Sequence, residues 1–215
     1  MLFTHLHSDH SMGYFQFLIG GWHLGREKLT VIGPPGVKKF HETVLEMYKE
    51  DIEYRTSLGF PKEGILDVNV IEMEEPGNVP AEGIPANITS ASMIHNLPTY
   101  AYRFEIDDKI IVFSGDTSPT NKLVELARNA DLLIHDCSLT TEKLETENSD
   151  EIGENLKKEH STPTQAGETA FHANAKRLVL THFLPNINVD EIKEEVREAY
   201  DGELILGKDL QAITI

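Results

Sequence analysis

Six consecutive residues limit this chain more than any others: His5-Leu-His-Ser-Asp-His10. The apolar start Met1-Leu-Phe predicts a short strand over Met1–Thr4 that stops where the histidines begin. Along an extended backbone side chains alternate, so His5 and His7 fall on one face. A turn just beyond places Asp9 and His10 around a second point. Neutral imidazoles with carboxylates nearby suit zinc, and also manganese or iron. One short loop cannot complete such a centre, so the fold has to bring further ligands from distant positions.

Those ligands are sought at strand ends. Periodicity predicts a helix over Ser11–Gly21 ended by its glycines, a strand over Leu29–Ile32, a turn Gly33–Gly36 and a helix from Val37 to Tyr54. Leu66–Met73 and Ile88–Ile94 read as strands, and Thr99–Ile106 with Lys109–Ser114 as a hairpin turning at Asp107-Asp108. Asn121–Ala130, Thr164–Ala173 and Val189–Tyr200 read as helices, and Asp131–Ile134 and Arg177–Leu180 as buried strands. Glu203–Leu206 and Leu210–Ile215 are expected to close the chain as a strand pair, and the acidic stretch 141–159 to be an exposed loop or helix. Strands and helices alternate throughout, which makes the class α/β, in a single domain spanning 1–215. His95, Asp116 and His182 each follow an apolar strand, where open α/β sheets gather ligands. Taken singly, His95 reads equally as a surface or core histidine and Asp116 as a turn or cap residue. Beside the first motif they read as metal ligands.

With those residues in view, the chain resembles the metallo-β-lactamase fold, and within it the branch of ribonuclease Z and the arylsulfatase/phosphodiesterase-like enzymes. The resemblance rests on His5-Leu-His-Ser-Asp-His10, His95, Ser114-Gly-Asp116-Thr and Thr181-His182 in order. It rests further on Ile32-Gly-Pro-Pro-Gly36, Ile134-His-Asp-Cys137 and His160-Ser-Thr-Pro-Thr-Gln-Ala166. It runs from Leu2 to Ile215 and implies a four-layer αβ/βα sandwich. It implies that His5, His7 and His95 hold one divalent metal, that Asp9, His10 and His182 hold a second, and that Asp116 bridges them. Zinc is the default, with manganese or iron fitting the same ligands. A hydroxide shared between the metals would then attack a phosphodiester or related ester, Asp9 steering its proton. His160 would contact the anionic group or protonate the leaving oxygen. Asp136 would pair with His160, although an aspartate is shorter than the glutamate more usual there.

Two departures bear on partners. The family normally starts with two or more strands ahead of the histidine motif, whereas only four residues precede His5. A bared sheet edge invites pairing with another chain, so a homodimer, or else low stability, is expected. Ribonuclease Z enzymes also grip tRNA with a basic, glycine-rich arm. Residues 61–90 hold one basic residue, Lys62, and six acids. With 19 Lys and Arg against 36 Asp and Glu, the net charge is −17. Nucleic-acid affinity rests on basic groups displacing counterions, so tRNA 3′ processing is the alternative and a small anionic ester the favoured substrate. A non-catalytic metal-binding protein is the alternative from another class.

The remaining features read plainly. No apolar run reaches the roughly 18–20 residues of a membrane span. The N-terminus lacks a signal-peptide pattern, and one cysteine, Cys137, excludes an internal disulfide; both fit a cytoplasmic protein. His23, His41 and His172 lie in or beside predicted helices as surface or core-edge residues. Gly33–Gly36 lacks a following Lys-Ser/Thr and is a turn rather than a phosphate loop.

Overall fold

The computed structural model describes residues 1–139, 151–185 and 187–215. They cluster into two units, Met1–Glu75 and Pro76–Ile215.

In the first unit Leu2 forms a parallel bridge to Ile32, and the chain leaves the ladder before the histidines. A single turn α1 (Ser8–Ser11) and helix α2 (Tyr14–His23) follow, then β1 (Thr30–Gly33), α3 (Val37–Met47), α4 (Lys49–Ser57) and β2 (Asn69–Glu72). Strands β1 and β2 pair in parallel from Thr30↔Asn69 to Gly33↔Glu72. Tyr14, Leu18 and Trp22, four residues apart, form one buried stripe of α2 and pack in a core with Phe3, Val31, Val44 and Ile65. That stripe explains why α2 runs through Gly20-Gly21, where the sequence pattern ends it. Burial of Trp22 carries the helix on, and Gly25, at φ +85°, terminates it. At Gly21 a Cβ would collide with the Arg26 guanidinium, which donates to the carbonyls of Phe17, Leu18 and Gly64 at 2.9, 2.8 and 3.1 Å. The helix expected from Val37 to Tyr54 is two, broken at Tyr48, whose ring stacks on Phe15 at 5.7 Å.

The second unit is built on a six-stranded sheet in the order β3 (Asn87–Ser92), β4 (Tyr100–Ile106), β5 (Lys109–Phe113), β6 (Leu132–Asp136), β7 (Arg177–Thr181), β8 (Glu203–Leu206). Strands β3, β4 and β5 are antiparallel, and the β4–β5 hairpin turns at Asp107-Asp108, with Asp107 at φ +50°. From β5 to β8 every pairing is parallel. The crossovers run through α5 (Asn121–Leu126), then α6 (Glu151–Glu159) with α7 (Pro163–His172), then α8 (Val189–Arg197). Small residues Ala166 and Ala170 let α7 approach the sheet, and Ile192 and Val196 bury one face of α8. Because β5, β6 and β7 are parallel, their carboxyl ends share one edge of the sheet. Asp116 follows the first, Asp136 ends the second and His182 follows the third.

Two expectations need correction. Residues 210–215 form no strand: Leu210 is left-handed at φ +60° and fully exposed, and the segment is tied back by Arg177 donating to the Thr214 carbonyl at 2.6 Å. The helix from Asn121 stops at Leu126, after which Ala127 and Ala130 turn inward as core residues. Of the acidic stretch 141–159, residues 151–159 are helix α6 and the rest lies outside the described residues.

Candidate metal centre

Each unit carries part of the predicted donor set. In the first, His5 is wholly buried, and its Nε2 lies 3.1 Å from Nδ1 of His7. Thr4 Oγ1 sits 3.1 Å from the other nitrogen, Nδ1 of His5. His7 keeps an extended backbone (φ −60°, ψ 151°) as it caps α1, so alternation persists after the ladder has ended. The Ser11 hydroxyl and the His10 amide both donate to the His7 carbonyl, at 2.8 and 3.1 Å. That turn carries Asp9 and His10, with His10 Nε2 3.4 Å from Asp9 Oδ2, and the His10 ring 4.2 Å from the His5 ring. Beneath the motif, Leu6 rests on the Gly33–Gly36 turn: a Cβ on Gly36, at φ +100°, would come within 3.3 Å of Leu6 Cδ1. The Glu72 carboxylate caps α3 by accepting from the Gly36 and Lys38 amides at 2.8 and 3.1 Å.

In the second unit the sheet edge gathers the remaining donors. Asp116, 3 % exposed, comes 3.4 Å from His182 Nε2. Asp116, His160 and His182 each offer a ligand atom, all within 4.8 Å of one another. His182 holds φ +64°, a left-handed backbone that a non-glycine residue keeps only when its surroundings impose it, and such strain gathers at functional sites. The His160 ring stacks on the His182 ring at 5.3 Å and meets the His95 ring edge-on at 5.2 Å. His95 lies beyond β3, and its Nδ1 donates to the Glu159 carbonyl at 3.1 Å.

Behind these side chains stands Asp136, 2 % exposed. Its Oδ2 accepts from His160 Nδ1 at 3.0 Å and its Oδ1 from His182 Nδ1 at 3.1 Å, with the Thr117 amide also on Oδ2 at 3.3 Å. Burial raises a carboxyl group, but the hydrogen bonds and charge of the two imidazoles outweigh it and bring Asp136 down to about 2. The carboxylate therefore holds both rings with the proton on Nδ1, leaving each Nε2 as the outward nitrogen. The aspartate reaches its histidine despite its shorter side chain. The preceding residue, His135, is fully buried and kept neutral by that burial, and its Nδ1 donates to the Asp136 carbonyl at 2.7 Å.

Sequence reasoning missed several contributors. The bond from Asp136 to His182 joins residues 46 apart, and no local pattern signals it. Thr117 locks two loops together: its hydroxyl accepts from the Ile94 amide at 3.2 Å, and its carbonyl accepts from the Ser161 hydroxyl at 2.7 Å. Only its place after Asp116 hinted at this. Glu159 was read merely as part of an acidic stretch, yet with His95 and His160 it offers ligand atoms within 4.8 Å of one another.

The donor chemistry fits divalent cations. His95 and His182 are oriented by a carbonyl and a carboxylate acceptor on Nδ1, and Asp116 is a carboxylate withdrawn from solvent.

The chain matches the family described as the beta-lactamase superfamily domain over residues 1–183. A ribonuclease Z of Mycobacterium bovis is 29% identical over 226 residues, spanning 100% of this chain and 79% of that protein. The crystal structure of the short form of human tRNase Z superposes with a TM-score of 0.71 at 20% identity, covering 100% of this chain and 78% of that one. A metallo-beta-lactamase fold protein from Bacillus subtilis superposes at 0.69 with 23% identity, covering 96% and 73%. These two likenesses establish the fold.

Proposed function

The chain belongs to the beta-lactamase superfamily, and from that premise we propose that it is a two-metal hydrolase of a small phosphodiester or related ester, acting in the cytoplasm as a single domain over residues 1–215. His5, His7 and His95 would hold one cation, Asp9, His10 and His182 the other, with Asp116 shared. Zinc suits the imidazole-rich set. Divalent cations bound there supply Lewis acidity, lowering the pKa of water and neutralising charge on the ester oxygens.

The protein's own residues do the rest. Asp116 withdraws a full negative charge into the sheet edge. Asp9, exposed on the turn after His7, is the base to which the attacking water gives its proton. His160 keeps Nδ1–H on Asp136 and turns Nε2–H toward the leaving oxygen, which takes that proton as the ester bond breaks. Asp136 stabilises the imidazolium before that transfer, and Nε2 regains its proton from water once the products leave.

The observation that carries this reading is the cluster of Asp116, His160 and His182 at one sheet edge, two of them held by Asp136. Metal analysis with a bis-(p-nitrophenyl) phosphate assay tests it. Turnover that disappears in Asp116→Ala and His7→Ala is expected. Bound metal without turnover of any ester would replace it with the non-catalytic reading.

The second reading, tRNA 3′ processing, is favoured by the similarity of the whole chain to 79% of a ribonuclease Z. The net charge of −17 and the acidic 61–90 segment weigh against it. Cleavage of precursor tRNA at physiological salt would decide for it.

A further inference from the structure

Glu159 ends helix α6 immediately before His160, and its two halves act separately. Its backbone carbonyl accepts from His95 Nδ1 at 3.1 Å, which sets that imidazole. Its carboxylate is only partly buried and accepts from the Asn96 side-chain amide at 2.8 Å. Among the described residues it meets no lysine or arginine, since Lys157 pairs with Glu154 at 2.8 Å. A carboxylate oxygen of Glu159 thus lies within 4.8 Å of ligand atoms of both His95 and His160, with no lysine or arginine paired to it among the described residues. Screened as in bulk water, a unit charge at that range alters the binding of a neighbouring charge about fourfold, and by more as solvent is excluded.

We propose that Glu159 is a specificity-determining residue: its carboxylate selects esters whose group beside the scissile bond is neutral or cationic and turns away those that carry a second phosphate there. The proposal rests on the hydrolase reading, in which His160 faces the leaving oxygen, and it narrows the substrate class. A phosphocholine-like ester fits, and a polynucleotide does not.

Three p-nitrophenyl substrates test it on the zinc-loaded protein: p-nitrophenyl phosphorylcholine, bis-(p-nitrophenyl) phosphate, and thymidine 3′-phosphate 5′-(p-nitrophenyl phosphate). Glu159→Gln keeps an oxygen for Asn96 and leaves the backbone carbonyl on His95, but removes the charge. The ratio of kcat/KM for the choline ester to that for the bisphosphate should fall about tenfold in Glu159→Gln and further in Glu159→Lys. High salt should shrink the wild-type ratio toward that of the glutamine variant. An unchanged ratio in both variants, or an equal loss on all three substrates, would overturn the proposal. Calorimetric binding of phosphocholine and of thymidine 3′,5′-bisphosphate gives a readout free of turnover. If the wild type hydrolyses none of the three esters, the hydrolase reading fails, while the binding ratio still decides for or against Glu159.

Discussion

Replacing Asp136 with asparagine preserves the side chain's shape and removes the acceptor that serves two histidines. In the folded protein the group sits at about 2 against an ordinary 3.8. That lowering corresponds to roughly 2 kcal/mol favouring the ionised form. An asparagine has one acceptor oxygen for two imidazole donors. Its amide must meet the other ring, which then has to present a bare Nδ1 and move its proton to Nε2. If that ring is His182, the nitrogen assigned to metal becomes a donor. If it is His160, the proton intended for the leaving oxygen is held at the wrong acidity. With the loss divided evenly, roughly 1 kcal/mol falls on His182, about fivefold in metal affinity; all of it there gives about thirtyfold. Competition for zinc between the protein and 4-(2-pyridylazo)resorcinol measures the affinity, and the bis-(p-nitrophenyl) phosphate assay run alongside measures turnover. An Asp136→Asn protein that keeps zinc within threefold of wild type, with unaltered kcat, would refute the orienting role.

Three further outcomes are expected. Gly36→Ala forces a side chain into φ +100° and against Leu6, at about 1–2 kcal/mol, so Tm should drop by about 3–6 °C and zinc affinity with it; an unchanged Tm would dismiss the link from the turn to the His5–His7 motif. Burial lowers His41, whose Nδ1 takes the Tyr14 hydroxyl hydrogen at 2.6 Å, so the folded state keeps it neutral. The unfolded chain, at the ordinary 6.5, binds more protons below that pH, and stability present above it is lost as pH falls. His41→Gln should therefore lessen the fall in Tm of the metal-free protein between about pH 6.5 and 5, and equal falls in both proteins would exclude the pair. Finally, a chelator should lower Tm by about 5–10 °C from zinc at a hundredfold excess over Kd, and His7→Ala should lessen that difference.

The donor residues stand out in the sequence more clearly than the bounds of the elements that carry them. His5, His7, Asp9 and His10 stand out because four donor side chains crowd into six residues, and Asp116 and His182 because each follows an apolar run. Boundaries were misread where tertiary contacts override local preference. Gly20-Gly21 reads as a helix stop, yet Trp22 is buried and Arg26 fills the space that Gly21 leaves. Leu210–Ile215 looks like a strand by alternation, yet Leu210 is fully exposed in a left-handed turn. Relations between distant residues were not readable at all. The histidine–aspartate–cysteine segment suggested a partner for His160, but that Asp136 also holds His182 depends on β6 and β7 being parallel neighbours in register from Leu133↔Leu178 to Asp136↔Thr181. Glu159 was invisible for a similar reason. Its significance comes from α6 ending against the His95 loop, not from its neighbours in sequence.

The acidity of the chain carries an opposite salt dependence for the two hydrolase readings. At −17 the protein's field repels an anionic ester at long range, and cations in the site act on it only at close quarters. Screening weakens the repulsion first, because the Debye length falls from about 14 to about 7 Å between 50 and 200 mM salt, while short-range attraction in a partly buried site is screened less. Raising salt over that range should therefore increase kcat/KM for bis-(p-nitrophenyl) phosphate modestly. A protein that grips RNA through basic residues behaves in reverse, losing about 10³-fold or more in affinity over the same range as counterions are no longer released to advantage. A steep fall with salt, measured with either substrate, would mean that phosphates are being met by a basic surface after all, and it would shift the assignment toward tRNA.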